Sequence, residues 1–164
     1  MAELTVLESK LGEVLGLAMA AQVATSKVAG MLADDGHPLA AKLERMREEA
    51  AATEERCITV AGEFEGKKTA ILDQARETKG EAATMMTTYL EGEDDALDGF
   101  EFLTMAEAGE VGHWSIVGKI NERAGNDHIA ELVAWALPIQ QRHYETVLNG
   151  SLELAGDEDP HEPA

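Results

Sequence analysis

The stretch Leu103–Leu148 reads LTMAEAGEVGHWSIVGKINERAGNDHIAELVAWALPIQQRHYETVL. Its apolar residues recur every three or four positions on both sides of Ala124-Gly125-Asn126-Asp127. That spacing is the signature of two amphipathic helices, and the short Gly/Asn/Asp segment between them is a tight reversal. The segment before the reversal, about Ala96 to Arg123, has a predicted seam at Leu103, Ala106, Glu110, His113, Val117 and Ile120. The segment after it, about His128 to Leu148, has one at Ile129, Leu132, Ala136, Gln140, His143 and Val147. Asn149-Gly150 reads as the stop of this last helix.

The N-terminal half repeats the arrangement. A helix from about Leu4 to Leu32 ends at Asp34-Asp35-Gly36-His37, and Pro38 opens a second helix, where proline is tolerated. The second helix has a seam at Leu39, Leu43, Met46, Ala50, Thr53, Cys57, Val60 and Phe64. Between the two hairpins, Thr69 to Tyr89 is helical in pattern but polar, with a weak stripe of Ile71, Leu72, Ala75 and Met86. It offers little to bury and is expected to lie outside as a connector. Glu91 to Asp95 is a loop, with Asp94 and Asp95 placed to cap the next helix. No stretch alternates as a strand does. Two helix hairpins and a connector predict an all-α, ferritin-like four-helix bundle with an extra connector helix. Residues 1–150 are read as that single bundle, and 151–164 as an acidic disordered tail.

Composition narrows the function. The 164 residues include 13 Lys+Arg against 32 Asp+Glu, a formal charge of −19. Such a field repels phosphate and attracts cations, so nucleic acid is an unsuitable partner and a metal ion a natural one. Aromatic residues are 4 % of the chain, which removes stacking platforms for single strands. One cysteine excludes a disulfide framework and any multi-cysteine metal centre. Cys57 lies on an apolar seam and reads as a small buried hydrophobe. The stretch Val14 to Ala24 is too short, and too interrupted by Gly16 and Gln22, to span a bilayer. Glu3 and Glu8 stand where a secretory leader would be basic. The expectation is a cytoplasmic protein without a membrane partner.

The seams carry the chemistry. Glu110-x-x-His113 and Gln140-x-x-His143 each place two polar groups on one inward face. Di-iron bundles use the Glu-x-x-His spacing because adjacent turns bring a carboxylate and an imidazole to one metal pair. Across the reversal near residue 126, Glu110 falls opposite His143, and His113 opposite Gln140. In the other hairpin Gln22 falls opposite Glu49 at a similar depth. The predicted mid-bundle layer is therefore Gln22, Glu49, Glu110, His113, Gln140 and His143. One reading is a metal site for iron or manganese, with zinc as a substitute. The other is a metal-free hydrogen-bond network in a non-catalytic, dimeric helical interaction protein. A third is a small-molecule pocket. Glu107, one turn before Glu110, is a candidate third carboxylate but is read as a solvated flank, the acid-rich run Glu44 to Glu55 as a solvated face, and Trp114 and Trp135 as packing or dimer-interface groups.

From about Met46 to Leu148 the chain resembles the YciE/YciF-type ferritin-like, stress-associated family. The residues that carry the resemblance are Thr53-Glu54, Phe64, Gly66-Lys67-Lys68, Gly80 in the connector, and His113-Trp114 with Ile116. The resemblance implies a five-helix ferritin-like fold, frequent dimerisation and a di-metal site; a role in metal or oxidative-stress handling is the expectation for a small metal-binding protein of this fold. The chain departs from that pattern at Glu49, where the family tends to carry histidine. It departs again at Gly112, where an acid precedes the histidine, and at Gln141-Arg142, where paired acids stand.

Overall fold

The computed structural model describes residues 2–34 and 36–163. Among them the chain forms five α-helices and no strand: α1 (Val6–Ala29), α2 (Pro38–Ala61), α3 (Lys68–Leu90), α4 (Ala96–Ala124) and α5 (Asp127–Gly156). Asp35, in the predicted first turn, lies outside the described residues.

Local chemistry sets the helix starts. Thr5 and Glu8 form a reciprocal capping box, Glu8 Oε2 accepting from the Thr5 amide at 2.7 Å. Pro38 opens α2, and His37 caps it, its Nδ1 accepting from the Leu39 amide at 3.1 Å. Asp95 caps α4 through the Leu97 amide at 2.7 Å, as its place in the loop predicts. Asn126 caps α5 through the Ile129 amide at 3.0 Å. Each accepts from an amide that has no partner inside its helix.

α1 packs on α2 and α4, and α5 packs on α4 and α2; α3 lies mainly against α1. Two apolar clusters form the interior. One gathers Leu11, Leu15, Cys57, Ile71, Trp114 and Ile129. The other gathers Val28, Leu39, Leu43, Phe100, Leu103 and Val147. Along α1, α2, α4 and α5, the polar residues of interest fall between members of the two clusters: Gln22, Glu49, Glu107, Glu110, Gln140 and His143. Cys57 is fully buried, and desolvation pushes its thiol pKa up. No helix among the described residues is long and apolar enough to cross a membrane.

The structure departs from the expected pattern in three places. α3 docks closely on α1 and buries Ala70, Ile71, Ala75, Thr78 and Leu90. The approach depends on Gly12 and Gly16: a Cβ on Gly12 would stand 2.7 Å from Gln74 Cβ, and one on Gly16 2.7 Å from Thr78 Cβ. Second, Gly150 does not end α5. It is buried inside the helix, where a Cβ would stand 2.5 Å from Phe100 Cε1, so its role is close packing. Residues 151–156 are therefore helix and not tail, with Ser151 buried and 3.0 Å from the Thr104 hydroxyl. Third, the buried stripe of α4 is Phe100, Leu103, Glu107, Glu110, Trp114, Val117 and Asn121. Ala106, His113 and Ile120, predicted to face inward, sit at its margin.

Candidate functional site

The rotation of α4 decides which polar groups meet. Glu107, predicted to be a solvated flank, is only 1 % exposed, and Glu110, one turn on, 5 %. Trp114 continues the stripe at 1 % and is core, leaving no surface for a dimer contact. Opposite them α5 buries Gln140 and His143, as its seam predicts.

Gln140 donates from Nε2 to Glu107 Oε2. The predicted pairing of Gln140 with His113 does not form. His143 lies between two carboxylates: Nε2 is 2.8 Å from Glu49 Oε2, and Nδ1 is 3.7 Å from Glu107 Oε2. Glu49 also binds Arg45 Nε at 2.7 Å and pairs with Arg142. With Glu49 ionised, its oxygen accepts the Nε2 proton and leaves the Nδ1 lone pair facing Glu107; this tautomer is assigned from the network.

The remaining predicted ligands go elsewhere. Gln22 does not meet Glu49; it donates to Glu54 Oε2 at 2.5 Å. His113 has its side chain 39 % exposed and faces Glu13 of α1, Nδ1 to Oε2 at 3.5 Å. Its Nδ1 is buried and has no hydrogen-bond partner. In the acidic run of α2, Glu49 and Glu54 turn toward the network while Glu44, Glu48 and Glu55 are exposed. Trp135 is partly buried, with the Arg56 guanidinium stacked 4.1 Å from its ring centroid.

Burial dominates the electrostatics. It pushes the Glu107 carboxyl up to about 8, with the Gln140 hydrogen bond holding it partly down. It raises Glu110 well above the usual carboxylate range, and the neighbouring Glu107 adds to the effect. Burial lowers the pKa of His143, against the pull of Glu49, so the imidazole stays neutral. Burial also works against the Glu49 carboxylate, but Arg45, His143 and Arg142 outweigh it and hold Glu49 below its ordinary range.

A cavity of about 310 Å³ opens beside this layer, between α1, α3 and α4. Its walls are mostly apolar, with Glu107, Glu110 and His113 on the α4 side. Among the described residues no hydrogen bond reaches the Glu110 carboxyl, and no Lys or Arg pairs with Glu107 or Glu110. The sequence pattern did not point to the roles of Glu54 and Glu13, and the reading of Glu107 as a solvated flank is overturned by its burial. The available signal for Glu107 was its position three residues before Glu110, on the same helical face.

The layer can do two things chemically. It can hold protons on a buried carboxyl pair, or it can hold a positive charge there. Among the described residues no group of three or more His, Cys, Asp or Glu side chains is arranged to hold a metal ion. The donors do not fit a two-metal centre, because His113 faces Glu13 and Gln22 donates to Glu54. No protein-family model matches the chain, and neither a curated protein nor a solved structure matches it.

Proposed function

We propose that this protein is a cation-binding bundle of the ferritin-like kind, in which α1, α2, α4 and α5 form the bundle and α3 is the connector. The closed neighbour order α1–α2–α5–α4 supports that reading of the fold. The cation is one divalent metal ion, iron or manganese with zinc as a substitute, held by the Glu107 and Glu110 carboxylates alone, with the His143 ring next to Glu107. Its role is metal or oxidative-stress handling in the cytoplasm. One observation carries the proposal: two carboxyl groups on adjacent turns are buried together, and no Lys or Arg among the described residues pairs with either. Without a cation the pair keeps its protons, and a bound cation would stabilise the ionised form.

The test is titration of chelator-treated protein with Fe(II), Mn(II) and Zn(II), read by calorimetry and thermal unfolding. One equivalent should bind and raise the midpoint by several degrees, and Glu110→Ala should abolish both effects. No binding by any of the three ions overturns the proposal.

A second reading has its own observation. Gln140 already donates to Glu107, and Glu49 already takes the Nε2 side of His143. This favours a metal-free hydrogen-bond network in a dimeric helical interaction protein. That protein would purify without metal, run as a dimer in light scattering, and be stabilised by Glu110→Leu.

A further inference from the structure

A bare metal ion needs no apolar walls, yet the cavity next to Glu110 is almost entirely hydrocarbon. Leu17 and Ala20 of α1, Ala82 and Met86 of α3, and Leu103 and Ala106 of α4 line it. Its volume of about 310 Å³ is that of a small-ligand pocket, apolar with a few fixed polar groups. Its mouth is marked by exposed apolar side chains from all three helices: Val23, Met85 and Met105. Water-facing apolar residues gathered around one opening point to something that enters it.

Glu110 gives the occupant its chemistry. The residue is only 5 % exposed, it lines the cavity, and no group among the described residues hydrogen-bonds it. His113 Nδ1, likewise without a hydrogen-bond partner, is on the same wall. Lys79 is the lysine of the lining; it is exposed on α3 and pairs with neither acid.

We infer that the groove between α1, α3 and α4 binds a small lipophilic amine, its ammonium on Glu110 and its hydrocarbon body between the three helices. A carboxylic acid would set a third carboxyl against the pair. An alcohol or a hydrocarbon brings no charge that would let Glu110 give up the proton its burial keeps there. An ammonium supplies both the charge and the N–H donors that this wall lacks. The inference shares with the proposed function the view that this wall accepts a positive charge, and differs in what carries that charge.

The experiment uses the full chain after chelator treatment, titrated calorimetrically with hexylammonium, hexanol and hexanoate. Hexylammonium should bind about tenfold tighter than hexanol, and hexanoate should not bind. Glu110→Gln should reduce hexylammonium to the level of hexanol, with Glu107→Gln as a second variant if the first is misfolded by circular dichroism. Ala82→Phe, which fills the groove from α3, should weaken the amine and the alcohol together. Equal affinity for hexylammonium and hexanol, or an amine preference that survives both glutamine variants, overturns the inference. A Mn(II) titration run in parallel separates the two readings. Amine binding without metal binding removes only the metal, and metal binding without amine binding removes only the groove ligand.

Discussion

Gly16 of α1 lies so close to Ala75 of α3 that a Cβ on the glycine would run into the Ala75 carbonyl oxygen. Gly12, a turn earlier, stands in the same relation to Gln74 and the Ile71 carbonyl. α3 therefore meets α1 backbone to backbone, and small size on α1 achieves what large apolar groups do elsewhere.

Gly16→Ala should destabilise the protein by about 1–3 kcal/mol, because the displaced atom is backbone. Gly80→Ala is the control. It is also helical, but nothing stands within 4 Å of its added Cβ, so it should stabilise by about 0.5–1 kcal/mol. Urea unfolding of the two variants should move the midpoint in opposite directions.

The Glu107 carboxyl holds its proton more tightly folded than unfolded, since burial raises it to about 8 from an ordinary 4.5. The folded state then binds more protons than the unfolded state between those values. Its stabilising contribution is complete below pH 4.5, is lost as pH rises toward 8, and is level above. Glu110 acts in the same direction. In metal-free protein, the stability of wild type minus that of Glu107→Gln should fall by a few kcal/mol across this window. Denaturant midpoints measured at pH 5, 6.5 and 8.5 check it, and a flat difference refutes the buried, protonated carboxyl.

Glu49 joins two helices, holding Arg45 of its own α2 together with Arg142 and His143 of α5. Glu49→Gln should cost about 1–3 kcal/mol. It should also lower the His143 pKa further, because Glu49 supplies the contributions that oppose burial there. An imidazole NMR titration reads the second effect, which a merely local loss of packing would not produce.

Removing residues 157–163 with Ala164 should leave stability within about 0.5 kcal/mol, since 157–163 are exposed. Removing everything after Gly150 should cost about 2 kcal/mol or more, because Ser151 and its Thr104 contact are lost, with the packing of Leu154. Paired thermal melts of the two truncations decide whether this last segment belongs to the folded body.

The seam of α5 was readable in full, from Ile129 through Gln140 and His143 to Val147, because its polar members are flanked by unambiguous apolar ones. The stripe of α4 was not. Its inner positions include Glu107, Glu110 and Asn121, which hydropathy counts as surface, and that moved the expected face onto Ala106, His113 and Ile120. The shift placed an imidazole in the interior where a carboxylate and Trp114 stand, and it hid the acid pair. Gly12 and Gly16 were equally silent, since a missing side chain leaves no periodic mark. Gly150 misled for a different reason: next to Asn149 it has the chemistry of a helix stop, and only the ring of Phe100 shows why glycine is needed there.

The chain's single sulfhydryl, Cys57, lies within the apolar cluster of Leu11, Leu15, Ile71, Trp114 and Ile129 with no exposed surface. Alkylation at this position can proceed only after the interior has opened, so its rate is a clock for excursions out of the native state. By the same token, covalently linked pairs of chains on a non-reducing gel would be a record of molecules that had already come apart.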